Sequence, residues 1–294
     1  MFHGSIVALV TPMQADGIID LEALRRLIEW HISQGTDAIG ILGSTGEALT
    51  INHAERNLVI QTSIDQIKGR VPVIVGTGTP STQTTIEYTE EAMNLGADAA
   101  LIVTPYCNKP TQEGLFQHYK AIAQAVPLPQ VLYNVPSRTG CDLKPSTAAA
   151  LAAFPNIIGI KEATGDLSRV PEILALAGNH SFDLYSGDDP TCLEFILAGG
   201  QGVISITANV TPAAMHRMCK AALSKGIAEA KEIDRHLTDL HKTLCIEANP
   251  IPVKWALHEM DMMPAGIRLP LLPLSESCHS VVKESMLEAG IPLS

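Results

Sequence analysis

The chain has 294 residues, 46% of them hydrophobic, which is enough to bury a large core in one α/β domain or barrel. Its formal net charge of -11 comes without a run of lysine or arginine, so we expect no nucleic-acid partner. No apolar stretch approaches the ~20 residues that span a bilayer, so we expect no membrane partner either.

Eight short runs rich in valine, isoleucine and leucine recur along the chain. Their hydrophobicity is nearly continuous, which is typical of strands buried on both faces of a parallel sheet. In chain order the runs read SIVALVTP, AIGILGS, VPVIVGTG, AALIVTPY, QVLYNVP, IIGIKEA, FDLYSGDD and QGVISITAN.

Helical patterns separate these runs. The first has Asp20 as its predicted N-cap and ends at Gly35, and Asp189 and Thr211 are predicted N-caps that precede a proline at the first helical position. After about residue 225 the strand runs stop, and the remaining patterns are helical. The sequence therefore predicts an α/β fold, a (β/α)8 TIM barrel over residues 1–224, with a C-terminal helical appendage over residues 225–294. An open, doubly wound sheet is the alternative.

In such a barrel the active site forms at the carboxyl ends of the strands. Lys161 follows IIGI, where burial would favour the neutral amine that attacks a ketone to form a Schiff base. A buried ion pair with Glu162 or another carboxylate is the alternative. Tyr133 ends the neighbouring strand and could transfer protons there, although a lone tyrosine is more often part of the core or rim.

Other strand ends carry groups that suit carboxylate binding. Ser44 and Thr45 lie between glycines in GSTGE, a sequence that also suits a simple tight turn. Arg138 offers a bidentate fork for a carboxylate, although a surface salt bridge is the commoner role. The stretch GTGTPST matches no phosphate-loop spacing and is discounted.

The cysteines and histidines give no metal-ligand pattern. Six cysteines are scattered without a CxxC motif, which favours a reducing cytoplasm over a disulfide framework. His236 and His241 are five residues apart, which does not place them squarely on one helix face, so we expect both to be structural. We expect neither a metal nor an organic cofactor.

Together the strand ends resemble the pyruvate-dependent class I aldolases and lyases, and among them the dihydrodipicolinate synthases. The resemblance runs from GSIVALVTPM through YNVPSRTGCDL, IIGIKEATGDL and SGDD to NPIPVKWAL and RLPLLPL. It implies a cytoplasmic homotetramer, a dimer of tight dimers, that condenses pyruvate with L-aspartate 4-semialdehyde in lysine and diaminopimelate biosynthesis. A sibling aldolase acting on another aldehyde, and a barrel that binds a metabolite without turnover, remain alternatives.

The resemblance also implies residue roles. Lys161 would form the imine with pyruvate, and Tyr133 would relay protons. Thr45 would hold the pyruvate carboxylate and Arg138 that of the semialdehyde, and Arg138 is the residue that disfavours an N-acetylneuraminate lyase. The pocket would also be lined by Gly187 and Ile204.

Two positions depart from the family pattern. Ser44 stands where the resemblance implies the threonine of a proton relay, and it keeps the hydroxyl that such a relay needs. Cys107 stands where a second tyrosine normally crosses a subunit interface to complete the proton relay. Because a thiol is shorter and donates a weaker hydrogen bond, we expect reduced turnover, or replacement of the missing phenol by Tyr106 or water.

The family's allosteric lysine site is altered as well. His53 and Tyr106 match residues used there, whereas Arg56, Pro80 and Thr84 replace a histidine, an asparagine and a glutamate. Losing that glutamate removes an ion-pair partner for the ligand's ammonium group, so inhibition by L-lysine is expected to be weak or absent.

Overall fold

The computed structural model describes residues 2–293, so residues 1 and 294, at the ends of the two predicted segments, lie outside the described part. Within this range eight parallel strands close into a barrel in chain order, and β8 pairs with β1. The predicted (β/α)8 barrel is therefore confirmed, and the open-sheet alternative is wrong. The strands are β1 (Gly4–Ala8), β2 (Ala38–Ile41), β3 (Val73–Gly76), β4 (Ala99–Val103), β5 (Gln130–Asn134), β6 (Ile157–Glu162), β7 (Asp183–Ser186) and β8 (Gly202–Ser205).

Helices follow the strands and cover the outside of the barrel. None of the helices in the described part of the chain combines the length and the apolarity that a membrane span requires. In chain order the helices are α1 (Leu21–Ser33), α2 (His53–Ile67), α3 (Thr82–Asn94), α4 (Gln112–Ala125), α5 (Pro136–Thr139), α6 (Pro145–Leu151), α7 (Arg169–Ala177), α8 (Cys192–Leu197), α9 (Pro212–Leu223), α10 (Ile227–Thr243), α11 (Ile251–Glu259) and α12 (Glu276–Glu288).

The predicted helix caps agree with the structure in part. The Asp20 carboxylate accepts a hydrogen bond from the Ala23 amide at 2.9 Å, as expected of an N-cap. Thr211 precedes Pro212 at the start of α9, but its side chain makes no capping bond. Asp189 is not an N-cap: a short 3₁₀ turn begins there, and its carboxylate accepts from the amides of the loop after β8. The Asp189 N-cap was predicted from the local Asp-Pro pattern alone, which does not report this long-range contact.

The C-terminal helices pack on the barrel. The predicted boundary at residue 224 falls in the turn between α9 and α10, and α10 contacts both α9 and α12. Leu240 of α10 and Val253 of α11 belong to the same hydrophobic cluster as Val7 and Val203 of the barrel. The segment between α10 and α11 is thereby held over the carboxyl ends of the strands.

Candidate active site

A cavity of about 460 Å³ opens at the carboxyl ends of the strands. Residues from most of the strand ends line it, together with the segment between α10 and α11. Seven of the predicted site residues lie in its wall: Ser44, Thr45, Tyr133, Arg138, Lys161, Gly187 and Ile204.

Lys161 and Tyr133 face each other in this cavity. They are register partners on β5 and β6, and the Lys161 Nζ lies 4.4 Å from the centre of the Tyr133 ring. Each side chain is only 6% exposed. The sheet register therefore places the Lys161 amine over the face of the Tyr133 ring in the wall of the cavity.

Glu162 faces the opposite way, because successive side chains of a strand point to opposite faces. Its carboxylate lies 3.0 Å from Arg169 Nε and accepts from Asn134 Nδ2 at 3.1 Å. Burial raises the pKa of Glu162, and the neighbouring Arg169 guanidinium opposes that shift. Since Glu162 pairs with Arg169, the sequence-based alternative of a Lys161–Glu162 ion pair is wrong.

Gly187 leaves room for the lysine. A Cβ atom at this position would lie 2.6 Å from the Ala163 Cβ and 2.9 Å from the Lys161 Cε. Both contacts are too short for carbon atoms, so a larger residue here would displace the Lys161 side chain. This is a steric reason for glycine at a position where the resemblance implied only a pocket-lining role.

The GSTGE loop after β2 is fixed by contacts with the C-terminal region. Thr45 is 4% exposed, and its Oγ1 accepts a hydrogen bond from Asn249 Nδ2 at 2.9 Å. The buried Glu47 carboxylate pairs with Lys254 of α11 and accepts from the Arg268 amide at 3.2 Å. Burial lowers the pKa of Lys254, and the Glu47 carboxylate opposes that shift.

Arg138 lies on the short helix α5, directly after β5. Its Nη2 donates to the backbone carbonyl of Asn249 at 3.4 Å, so the same segment contacts both Thr45 and Arg138. A guanidinium group has five N–H donors, and this contact uses one of them. The others remain for a ligand carboxylate.

The sequence model of the dihydrodipicolinate synthetase family matches residues 1–289. The chain belongs to this family. A member named 4-hydroxy-tetrahydrodipicolinate synthase from Thioalkalivibrio sulfidiphilus is 55% identical over 294 residues, which is 100% of each chain.

Solved structures of family members are closely similar. The chloride-inhibited dihydrodipicolinate synthase from Acinetobacter baumannii, complexed with pyruvate, is 52% identical, with a TM-score of 0.97 over 99% of this chain and 100% of that one. The enzyme from Cyanidioschyzon merolae with lysine bound is 36% identical, with a TM-score of 0.95 over 99% of each chain.

The structure does not bring Cys107 to the cavity of its own chain. Cys107 is exposed in the loop after β4, with a φ of 73°, and its amide lies 3.4 Å from the Thr139 carbonyl oxygen. The preceding Tyr106 is half-buried, and burial raises the pKa of its phenol. A role for Cys107 at the position of a family tyrosine stays a prediction, because it concerns a second copy of the chain.

The five predicted allosteric residues lie on α2, on α3 and in the loops after β3 and β4. The Arg56 guanidinium donates to the Gly76 carbonyl at 2.5 Å and lies 4.4 Å from the centre of the Tyr88 ring. Burial lowers the pKa of Arg56 to about 10. Three of the other four predicted residues have polar partners of their own: the His53 imidazole lies 3.4 Å from a Glu91 carboxylate oxygen, the Thr84 hydroxyl donates to the Ser81 hydroxyl, and the Pro80 carbonyl accepts from the Asn108 side chain.

Sequence reasoning missed the segment between α10 and α11. Cys245, Ile246, Glu247, Ala248 and Asn249 all line the cavity. The motif NPIPVKWAL, which begins at Asn249, was noted only as part of the resemblance. One signal in the sequence could have found this segment. Asn249 and Lys254 are polar residues in an otherwise apolar stretch, which indicates that each has a buried polar partner.

Proposed function

We propose that this protein is a Schiff-base lyase that condenses pyruvate with L-aspartate 4-semialdehyde to 4-hydroxy-tetrahydrodipicolinate, in lysine and diaminopimelate biosynthesis. The observation that carries the proposal is the buried Lys161 amine, 4.4 Å from the Tyr133 ring at the carboxyl end of a (β/α)8 barrel. The names of the relatives and the pyruvate in the Acinetobacter enzyme support it.

The first half of the reaction forms an enamine. The neutral Lys161 amine attacks the ketone carbon of pyruvate, and the carbinolamine loses water to become an imine. Tyr133 would donate a proton to the departing hydroxyl and recover one later. Loss of a proton from the methyl group then gives the nucleophilic enamine. No metal or organic cofactor is required for these steps.

The second half joins the two substrates. The enamine carbon attacks the aldehyde carbon of the semialdehyde, and the aldehyde oxygen takes up a proton. The amino group of the semialdehyde then attacks the imine carbon, closes the ring and displaces the Lys161 amine. The net reaction consumes one molecule of each substrate and releases one water.

Two residues would hold the substrate carboxylates. Thr45 would hold that of pyruvate, since its hydroxyl is fixed by Asn249 at the cavity wall. Arg138 would bind that of the semialdehyde, since a planar fork suits bidentate contacts with a short carboxylate. A sialic-acid lyase must accommodate a long polyol and has no short carboxylate for Arg138 to bind. The presence of Arg138 therefore favours the synthase over a sialic-acid lyase.

The active form is proposed to be a homotetramer in the cytoplasm, as the resemblance implies. All six cysteines, which lie within the described range, are free, which fits a reducing compartment. The exposed Cys107 loop suits a contact with a second copy of the chain. Sedimentation analysis measures the assembly directly: a stable monomer at working concentration would contradict it.

Borohydride trapping tests the Schiff base. Protein reduced in the presence of pyruvate is digested and analysed by peptide mass spectrometry. We expect the adduct on the peptide that contains Lys161, no adduct in Lys161→Met, and an unchanged adduct in Lys144→Met, an exposed lysine. An unmodified Lys161 peptide in the wild-type protein would remove the enzyme proposal.

A substrate panel then separates the alternatives. We expect turnover with L-aspartate 4-semialdehyde to exceed that with other aldehydes. An adduct with turnover of a different aldehyde would identify a sibling aldolase. An adduct without turnover of any aldehyde would identify a barrel that binds pyruvate only.

A further inference from the structure

Three side chains with metal-binding atoms meet outside the catalytic cavity. Cys192 is the first residue of α8, and Asp234 and His241 lie on α10. These two are seven residues apart, which is nearly two helical turns and places them on one face of α10. The thiol sulfur, a carboxylate oxygen and an imidazole nitrogen all lie within 4.8 Å of one another. His241 Nε2 is 3.7 Å from Asp234 Oδ1.

One nitrogen of the His241 imidazole makes no hydrogen bond in the described part of the chain, although it lies 3.7 Å from the Asp234 carboxylate. His241 is 1% exposed, and its Nδ1 lies 2.8 Å from the Thr207 hydroxyl oxygen. Its Nε2 is buried and has no hydrogen-bond partner among residues 2–293. A buried polar atom without a partner is uncommon in a folded protein. If Nδ1 carries the proton and donates it to Thr207, the Nε2 lone pair is free to bind a metal.

The surroundings of Cys192 favour a cation. Burial raises the pKa of the Cys192 thiol well above its usual range, and the carboxylates of Asp189 and Asp234 raise it further. Asp189 Oδ1 is itself buried without a hydrogen-bond partner in the described part of the chain. A divalent cation in the cluster would compensate the charge of these carboxylates.

We propose that Cys192, Asp234 and His241 form a binding site for a divalent transition metal, with Zn²⁺ as the best fit. Thiolate, imidazole and carboxylate are the three protein ligands that Zn²⁺ uses, at bond lengths of roughly 2.0–2.3 Å. Mg²⁺ and Ca²⁺ prefer oxygen ligands alone and do not suit this set. The fourth tetrahedral position would take a water molecule, and the partly exposed Asp234 provides the side from which the metal enters. The sequence-based expectation of no metal is revised by this proposal.

The site would link α8 of the barrel to α10 of the C-terminal region. None of its three residues lines the cavity that contains Lys161, so its role would be structural and not catalytic. Binding replaces the thiol proton, which is released to solvent as the metal–sulfur bond forms.

Cobalt titration of the full-length, chelator-treated protein tests the site. Co²⁺ is the probe because a bound thiolate gives an intense charge-transfer band in the near ultraviolet, which carboxylate or imidazole ligands alone do not. We expect one equivalent of Co²⁺ per chain to produce this band, and added Zn²⁺ to remove it. Cys192→Ala should abolish the band, whereas Cys141→Ala, which removes another buried thiol, should retain it.

A second variant guards against a folding artefact. The Asp234 side chain is 26% exposed, so Asp234→Asn should fold normally and keep full lyase activity. Its affinity for Co²⁺ should fall by on the order of 100-fold. Loss of a group that only supports a ligand already costs about 10- to 100-fold in metal affinity, and Asp234 would be a ligand itself. At the same Zn²⁺ concentration the Tm of the wild-type protein should rise by more than that of Asp234→Asn. No band in the wild-type protein, or a band that persists in Cys192→Ala, would overturn the proposal. The outcome is independent of the Lys161 adduct.

Discussion

Two loops carry candidate relay residues, and they differ in how firmly the rest of the chain holds them. The loop after β2, residues 43–47, is held from within the chain: Asn249 bonds Thr45, and Lys254 pairs with Glu47. The loop after β4, residues 106–109, ends in three exposed residues, and both Cys107 and Lys109 have positive φ angles. Both loops follow barrel strands, yet only the first contributes to the cavity of its own chain.

The difference shows what the C-terminal region does for the site. The segment 245–249 and helix α11 close over the barrel and fix the first loop by contacts more than 200 residues apart in sequence. No comparable contact from that region holds the tip of the second loop among the described residues. Under the proposed function, the second loop would act only when another copy of the chain packs against it.

The largest effect is expected from breaking the Glu47–Lys254 pair. Lys254→Met leaves the Glu47 carboxylate buried without its cation, which should lower the free energy of unfolding by ~3–5 kcal/mol. The loop should loosen, and the yield of the pyruvate adduct on Lys161 should fall. Urea denaturation and borohydride trapping measure the two effects.

A double variant provides the control. Glu47→Gln combined with Lys254→Met removes both charges and should recover most of the lost stability. A single variant that costs less than ~1 kcal/mol would show that the pair is solvated and does not hold the loop.

A smaller effect is expected at Thr45. Thr45→Val keeps the shape but removes the hydroxyl, which leaves Asn249 Nδ2 without its acceptor and pyruvate without a donor. Loss of such a bond costs about 1–3 kcal/mol, so KM for pyruvate should rise by roughly 5- to 150-fold. Thr50→Val, which removes a hydroxyl from the 3₁₀ turn that follows this loop, is the matched control. Equal KM values in both variants would assign Thr45 a structural role only.

The sequence predicted the site residues at the strand ends, but it did not predict the contacts that distant parts of the chain make with them. Tyr133 and Lys161 follow apolar runs on neighbouring strands, so the barrel rule placed them together, and the register agrees. Asn249 and Lys254 contact the first loop across more than 200 residues, and no local pattern reports such a pairing. The hydrogen bonds of Asp189 and the proximity of Cys192 to α10 also join residues that are distant in sequence, so the sequence did not predict them.

A modest effect is expected from Cys107→Tyr in the second loop. If Cys107 lies at the relay position of a neighbouring copy, a phenol there should raise kcat. General acid–base catalysis contributes ~10²–10⁴-fold, and partial replacement by Tyr106 or water would leave a gain of roughly 10-fold. Cys107→Ser, which restores no phenol, should leave kcat unchanged. An unchanged kcat in Cys107→Tyr, measured on a confirmed oligomer, would remove Cys107 as a limit on turnover.

The smallest effect is expected from adding L-lysine. This experiment tests the predicted allosteric site, to which the loop after β4 contributes Tyr106. The Arg56 guanidinium is already bound to Gly76 and stacked on Tyr88, and Thr84 offers no carboxylate for a ligand's ammonium group. We therefore expect no half-inhibition below ~1 mM, a concentration that corresponds to about -4 kcal/mol of binding free energy.

Thr84→Glu should increase the sensitivity to lysine, since it adds an ion-pair partner at the start of α3, and Thr84→Gln should not. The enzyme from Cyanidioschyzon merolae, whose structure has lysine bound, is a suitable positive control for the assay. Strong inhibition of the wild-type chain would show that Glu91 or another group takes the place of the missing carboxylate. The loop after β4 would then lie beside a working regulatory site despite the substitutions at 56, 80 and 84.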